Sequence, residues 1–94
     1  MRRKRRIVWT VEARRDLAKV RNYIRPFAPK AAESFVRRIR RKIESVADFP
    51  EAGAEVRERN VENLREAYVG EYRLMYRYDE RVVEVMTVWH GARR

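Results

Sequence analysis

The sequence predicts an α+β domain in the order β-α-α-β-β-β, with an antiparallel helical hairpin packed on one face of a mainly antiparallel sheet. Two observations lead to this prediction. Between residues 13 and 46, apolar residues recur in two runs at steps of 4, 3, 4 and 3, the spacing of one face of an α-helix. After residue 63, three short β-branched and aromatic segments are separated by turn signals, as in a β-meander. The 94 residues are enough for a single domain (1–94) and leave no room for a second.

The first element is a short strand that leads into helix one. Residues 6–9 are β-branched and aromatic, and Thr10 after them is a good N-cap for a helix. The apolar stripe of this helix consists of Ala13, Leu17, Val20, Ile24 and Phe27. We expect the helix to end before Pro26 or over residues 27–29, because proline blocks helix continuation.

The same apolar spacing restarts after Pro29 and stops at Phe49-Pro50, which predicts helix two. Its stripe consists of Ala32, Val36, Ile39, Ile43 and Val46, and Phe35 widens it. Two amphipathic helices joined by a few residues form a hairpin in which each buries its stripe against the other and against the sheet.

The remaining chain is interpreted as a loop followed by the meander. Residues 48–63 contain proline, glycine and four glutamates without periodicity, and predict a loop. Strands are predicted over residues 64–69, 72–78 and 82–89, with turns at 70–71 and 79–81. The first strand of the chain is expected to pair with this meander.

Alternation with period two assigns the side chains of the middle strand to two faces. Tyr72, Leu74, Tyr76 and Tyr78 share the face that packs, and Arg73, Met75 and Arg77 share the other. In the last strand Val83 and Val85 oppose Val82, Met86 and Val88. Because both sets are apolar, we expect this strand to lie inside the sheet. The helices should then cover one sheet face and leave an arginine-bearing face exposed.

Composition excludes several classes of protein. The 24 Lys and Arg against 14 Asp and Glu give a net charge of +10, and a hydrophobic content of 45% argues for a folded chain. The absence of cysteine excludes a disulfide scaffold, a thiolate zinc site and a cysteine nucleophile, and the single His90 argues against a histidine metal site. We expect no metal and no cofactor. No apolar run approaches the ~20 residues of a membrane span, so we expect a cytoplasmic protein without membrane contact.

The arginines form clusters that allow two interpretations. Clusters lie in the basic arm over residues 1–6, which we expect to be flexible, at Arg14-Arg15, and over residues 37–42 of helix two. They favour contact with a polyanion, because the guanidinium fork donates two parallel hydrogen bonds to a phosphate. The alternative is a solvated helix face, or contacts to an acidic partner.

The strand arginines and the histidine suggest one chemistry. Arg65, Arg73 and Arg77 are expected to converge on one surface, where they either bind a ligand or pair with Glu66 or Glu84. His90, at the end of the last strand, could transfer a proton. The chemistry open to this set is cleavage of RNA by its own 2′-hydroxyl, with the arginines stabilising the developing phosphorane charge.

A series of short motifs follows in a fixed order from about Ile7 to Arg93. They are Trp9-Thr10, Ala13, Asp16-Leu17, Tyr23-Ile24, Ala31-Ala32, Pro50-Glu51-Ala52-Gly53, Leu64-Arg65-Glu66, Tyr72-Arg73-Leu74-Met75-Tyr76-Arg77 and Val88-Trp89-His90-Gly91-Ala92-Arg93. In these ordered motifs the chain resembles the RelE/ParE superfamily of toxins from type II toxin-antitoxin systems. This resemblance implies the same fold as the one obtained from the pattern.

The resemblance implies one of two activities. Toxins similar to ParE inhibit DNA gyrase, and toxins similar to RelE cleave mRNA in the ribosome. Arg73 matches the strand arginine of the nuclease branch, but Ala67 stands where a second basic residue is expected, and no tyrosine follows Tyr78. We therefore favour a ParE-like gyrase inhibitor over a RelE-like endonuclease. The candidate catalytic residues of a nuclease, or target contacts of a gyrase inhibitor, are Arg65, Arg73, Arg77, His90 and Arg93.

The resemblance also implies partners. A cognate antitoxin, similar to ParD or RelB, would lie across the basic surface and form a hetero-oligomer with the toxin. The further partner is DNA gyrase in the first hypothesis and the ribosome with mRNA in the second.

Overall fold

The computed structural model describes residues 4–56 and 63–91, which form two helices and a five-stranded sheet. The elements are β1 (Arg6–Trp9), α1 (Val11–Ile24), α2 (Pro29–Asp48), a 3₁₀ turn (Pro50–Ala52), β2 (Ala54–Glu55), β3 (Leu64–Val69), β4 (Tyr72–Tyr78) and β5 (Val82–His90). The predicted α+β fold is confirmed. Neither helix in these ranges is long and apolar enough to cross a membrane.

The strand order is β1-β5-β4-β3-β2, with β1 parallel to β5 and every other neighbour antiparallel. The last strand therefore lies inside the sheet, between β1 and β4, as its apolar faces predicted. The predicted loop over residues 48–63 is wrong where Ala54 and Glu55 pair with Glu66 and Arg65 as β2, and its residues 57–62 lie outside the described residues. A two-residue strand is too short to show alternation in the sequence.

Helix α1 begins at Val11, directly after the predicted N-cap Thr10. The Thr10 hydroxyl oxygen accepts the Ala13 N–H at 3.0 Å, and it also lies 3.0 Å from the Val85 carbonyl, to which it donates. This side chain thus caps the helix and attaches its first turn to β5. The predicted stripe is wrong at Phe27, which is 83% exposed, because the helix ends at Ile24 and the turn before α2 carries Phe27 away from the core.

The helices bury one face of the sheet, which we call the helix face. Ala13 and three residues of α2, Phe35, Ile39 and Ile43, pack against sheet residues there. The sheet contributes Val69, Leu74, Val85 and Val88. Leu17, Val20, Ile24 and Val36 are partly buried around this core. The hairpin and its stripes are confirmed apart from Phe27.

A β-bulge corrects the predicted faces of β5. Met75 pairs with Thr87 and Tyr76 pairs with Val85, so Met86 is an extra residue without a partner on β4. The bulge shifts the alternation by one position. Val88 consequently joins Val83 and Val85 on the buried side, instead of opposing them.

The opposite face of the sheet, which we call the outer face, is not the open arginine surface that we expected. Met75 is buried there against Val56 and Leu64, and Met86 and Trp89 pack around them. Val56 follows the short strand β2, so the chain after the 3₁₀ turn covers part of this face.

Candidate functional site

The outer face holds two of the candidate arginines. Arg73 lies opposite Tyr68 on one side and Trp89 on the other, and only 9% of it is exposed. Its Nε donates to a carboxylate oxygen of Glu66. Arg77 is exposed, and its Nη2 lies 3.0 Å from Glu84 Oε1. Both guanidinium groups are therefore neutralised within the chain, which is one of the two alternatives that the sequence left open.

Arg65 does not share this surface, so the expected convergence of three arginines is wrong. It lies opposite Tyr76 in the β3–β4 register and therefore on the helix face. Its Nη1 donates to the carbonyl oxygens of Gly53 at 2.9 Å and Glu51 at 3.3 Å. Its Nη2 lies 3.8 Å from a carboxylate oxygen of Glu55. Arg65 thus holds the segment between α2 and β2.

Tyr76 of β4 also binds the segment between α2 and β2. Its hydroxyl donates to the Pro50 carbonyl at 2.6 Å, and burial raises the pKa of this phenol to about 12. Gly53 passes so close that a Cβ there would lie 2.1 Å from the Tyr76 hydroxyl oxygen and 2.8 Å from the Glu66 carbonyl oxygen. Any other residue at this position would force the segment away from the sheet. The Pro-Glu-Ala-Gly motif is therefore a packed structural corner.

His90 ends β5 on the helix face, opposite Tyr72. Its Nε2 lies 2.9 Å from Glu71 Oε1, and its ring makes an edge contact with Tyr72 at 5.3 Å between centroids. A hollow of about 520 Å³ beside it is lined also by Asp16 and Lys19 of α1. Asp16 is already engaged, since it accepts the Val88 N–H at 3.0 Å. Arg93 lies outside the described residues.

The candidate set is therefore divided between two faces of the sheet. Arg73 and Arg77 share the outer face, whereas Arg65 and His90 lie on the helix face at opposite sides of β4. A phosphate bound at one face cannot reach the groups on the other. Within residues 4–56 and 63–91, no three His, Asp or Glu side chains cluster as ligands for a metal ion.

A groove that the sequence pattern did not predict lies between the two helices and the β1 edge of the sheet, and we call it the helix groove. It has a volume of about 450 Å³. Its apolar floor is formed by Ile7, Trp9, Leu17, Val36 and Ile43. Arg14, Arg21 and Arg40 stand around this floor with one acidic residue, Glu44. The lining residues come from β1, α1 and α2, so the groove depends on contacts between segments that are distant in the sequence.

Solved structures share this architecture. A chain of the chromosomal ParDE TA system from P. aeruginosa superposes with a TM-score of 0.75 at 17% identity, covering 93% of this chain and 96% of that one. A chain of the RelBE2 toxin-antitoxin complex from Mycobacterium tuberculosis superposes with a TM-score of 0.63 at 26% identity, covering 94% and 99%. Two helices on this five-stranded sheet define the class of the protein, a RelE/ParE superfamily toxin.

Sequence comparison gives the family. The model of the ParE toxin of type II toxin-antitoxin systems, parDE, matches residues 7–94. The chain therefore belongs to the ParE toxin family. It is also 33% identical over 88 residues to Toxin RelE2 of Caulobacter vibrioides, covering 93% of this chain and 96% of that protein. The predicted resemblance to the RelE/ParE superfamily is confirmed.

Proposed function

We propose that this toxin arrests growth by inhibiting DNA gyrase and that a cognate antitoxin neutralises it. The observation that carries the choice of target is the division of the candidate residues between two sheet faces. Membership of the ParE family supports the same choice, because the resemblance implies gyrase inhibition for the ParE branch. Such a target lies in the cytoplasm, where we expect the toxin to act.

A ribonuclease of this size would need a different arrangement. Proton transfer requires a base within hydrogen-bond reach of the 2′-hydroxyl, and stabilising the phosphorane requires cations at the same phosphate. His90 and Arg73 lie on opposite faces of the sheet. Glu66 also neutralises Arg73 in a largely buried pair, so breaking this pair to bind a phosphate would leave a carboxylate uncompensated.

The second candidate function is ribosome-dependent cleavage of mRNA. Two observations favour it: Arg73 and Arg77 share the outer face, and one relative carries the name RelE2. In that case Arg73 would have to exchange Glu66 for a phosphate on the ribosome. Removal of Arg73 would then abolish cleavage.

The helix groove suits the antitoxin. An apolar floor surrounded by arginines is complementary to an amphipathic segment with an apolar face and acidic flanks. Similar structures come from a ParDE system and a RelBE2 complex, which supports an antitoxin partner. We expect Arg14→Glu with Arg40→Glu to weaken antitoxin binding about tenfold or more and to reduce its salt dependence, since both reverse charges at the groove. Arg77→Glu with Arg81→Glu, outside the groove, is the control with the same change of charge.

The experiment that tests the target is induction of the toxin in cells without antitoxin. DNA synthesis and the DNA-damage response are followed together with incorporation of amino acids into protein. A gyrase inhibitor causes DNA damage while protein synthesis continues. Immediate arrest of protein synthesis without DNA damage would favour the nuclease. An Arg73→Ala variant is run in parallel, because only the nuclease hypothesis requires its guanidinium for the arrest.

A further inference from the structure

The excess positive charge of the described residues lies on the helical hairpin. Residues 11–48 carry eleven basic residues, Arg14, Arg15, Lys19, Arg21, Arg25, Lys30, Arg37, Arg38, Arg40, Arg41 and Lys42. Five acidic residues oppose them, Glu12, Asp16, Glu33, Glu44 and Asp48. From residue 63 to residue 91 the balance is reversed, with four basic and five acidic residues. The charges of strands β3 to β5 and their turns thus nearly cancel, whereas the helical hairpin keeps an excess of positive charge.

The outward side of α2 carries three of these arginines. Arg37 and Arg41 lie on the side of the helix opposite the buried positions Ile39 and Ile43, Arg38 projects sideways with its Nη2 near Gly70, and all three arginines are exposed. None of them forms an ion pair with any residue in the described ranges. Arg65, Arg73 and Arg77 differ, because each has an acidic partner. We call Arg37, Arg38 and Arg41 the α2 basic face.

The α2 basic face lacks what a protein interface requires. Stable protein interfaces are built around a buried apolar or aromatic centre. The neighbours of these arginines on the outward side include Ser34, Ser45 and the exposed Glu33 and Glu44, and the large apolar residues of α2 point towards the sheet. Exposed guanidinium groups flanked by hydroxyls suit the phosphate backbone of a nucleic acid, which is contacted by charge and hydrogen bonds alone.

We propose that the α2 basic face binds the phosphate backbone of duplex DNA without reading its sequence. Arg37 and Arg41 are one helical turn apart, about 6 Å along the axis. Duplex DNA presents one phosphate charge per ~1.7 Å of its axis, so both arginines can contact phosphates at once. The helix groove borders this face, because Arg40 of the groove lies one helical turn from Arg37, whereas Arg38 and Arg41 do not line the groove. The proposal does not depend on gyrase as the target.

The test is binding of the purified full chain to a fluorescent DNA duplex of random sequence, measured by anisotropy between 50 and 200 mM salt. Each arginine that neutralises a phosphate contributes ~0.9 to the slope of log K against log salt. The variant Arg37→Gln/Arg38→Gln/Arg41→Gln should therefore lower the magnitude of the slope by ~2–3 and weaken binding at least tenfold at 50 mM salt. Arg5→Gln/Arg77→Gln/Arg81→Gln is the charge-matched control and should change both by much less. Thermal unfolding verifies that each variant folds.

Three results would overturn the proposal. An equal loss of DNA affinity in the two triple variants would mean that net charge alone attracts DNA. Displacement of the duplex by polyglutamate of equal charge at lower concentration would assign the face to an acidic protein. Tighter binding of an RNA duplex than of DNA, lost in the α2 variant, would assign it to RNA. The predicted result is DNA binding that is at least as tight as RNA binding and depends on the α2 basic face.

Discussion

The Tyr76 hydroxyl offers the sharpest test of how the structure is held together. Tyr76 has no exposed surface, and its hydroxyl donates to the Pro50 carbonyl in the corner between α2 and β2. Tyr76→Phe keeps the ring and removes only this donor. The carbonyl of Pro50 then keeps the longer hydrogen bond from the Gly53 N–H at 3.4 Å, so loss of the Tyr76 donor should cost ~0.5–1.5 kcal/mol in the free energy of unfolding at pH 8.

The pH dependence gives a second, independent signature. Burial raises the pKa of Tyr76 from 10.0 to about 12 in the folded state, so the folded chain binds this proton more tightly than the unfolded chain. Stability from this group is complete below pH 10 and is lost as the pH rises towards 12. Two units of pKa correspond to ~3 kcal/mol, so the advantage of the wild type over Tyr76→Phe should shrink or reverse across this window.

The assay is denaturant unfolding at closely spaced pH values from 8 to 11.5. Taking the difference between the two proteins cancels the ionisation of all other groups. Tyr68→Phe is the matched control, because Tyr68 is half exposed and its hydroxyl donates to the Glu66 carboxylate at the surface. A difference between wild type and Tyr76→Phe that stays constant from pH 8 to 11.5 would refute the argument that burial holds this phenol neutral.

Three other predictions concern the core, the outer face and a turn. Ile39→Ala removes a fully buried side chain and should cost ~2–5 kcal/mol in denaturant titration, and a change near zero would reject its place in the core. Arg73→Ala should destabilise the protein clearly more than Arg77→Ala in the same titration, because removing the Arg73 guanidinium leaves the largely buried Glu66 carboxylate without its cationic partner. Equal losses of stability in the two variants would contradict the burial of this pair. Backbone N–H groups of residues 81 and 82 hold the pKa of Asp79 below 3.8, so Asp79→Ala should destabilise at pH 7 and lose its effect as the pH falls below that value. If Asp79→Ala still lowered the stability at pH 2, the charged Asp79 carboxylate would not be what stabilises this turn.

The sequence predicted the elements that depend on local rules. The periodicity of both helices, the Thr10 cap and the inner position of the last strand follow from spacing and residue type. The exceptions have physical causes. The bulge at Met86 changes the alternation of β5, and Phe27 leaves the core because the helix ends three residues before it. Pro26 marks the end of the helix in the sequence, whereas the bulge has no such marker.

The candidate site was harder to predict, because it depends on register. Arg65, Arg73 and Arg77 are all strand residues, and the even spacing of Arg73 and Arg77 places both on one face of β4, but it does not determine the face of Arg65 on the neighbouring strand β3. Pairing of Arg65 with Tyr76 and of Tyr68 with Arg73 places Arg65 on the helix face. The helix groove depends on how two amphipathic borders meet in space. Such contacts between distant segments are not encoded in any local pattern.

The central claim, that this ParE-family toxin targets gyrase rather than mRNA, is tested most directly by supercoiling of relaxed plasmid with purified gyrase and increasing toxin. We predict inhibition that antitoxin reverses and that survives Arg73→Ala, with no codon-positioned mRNA cuts on purified ribosomes at the same toxin concentration. Unimpaired supercoiling together with ribosomal cleavage that Arg73→Ala abolishes would contradict the account.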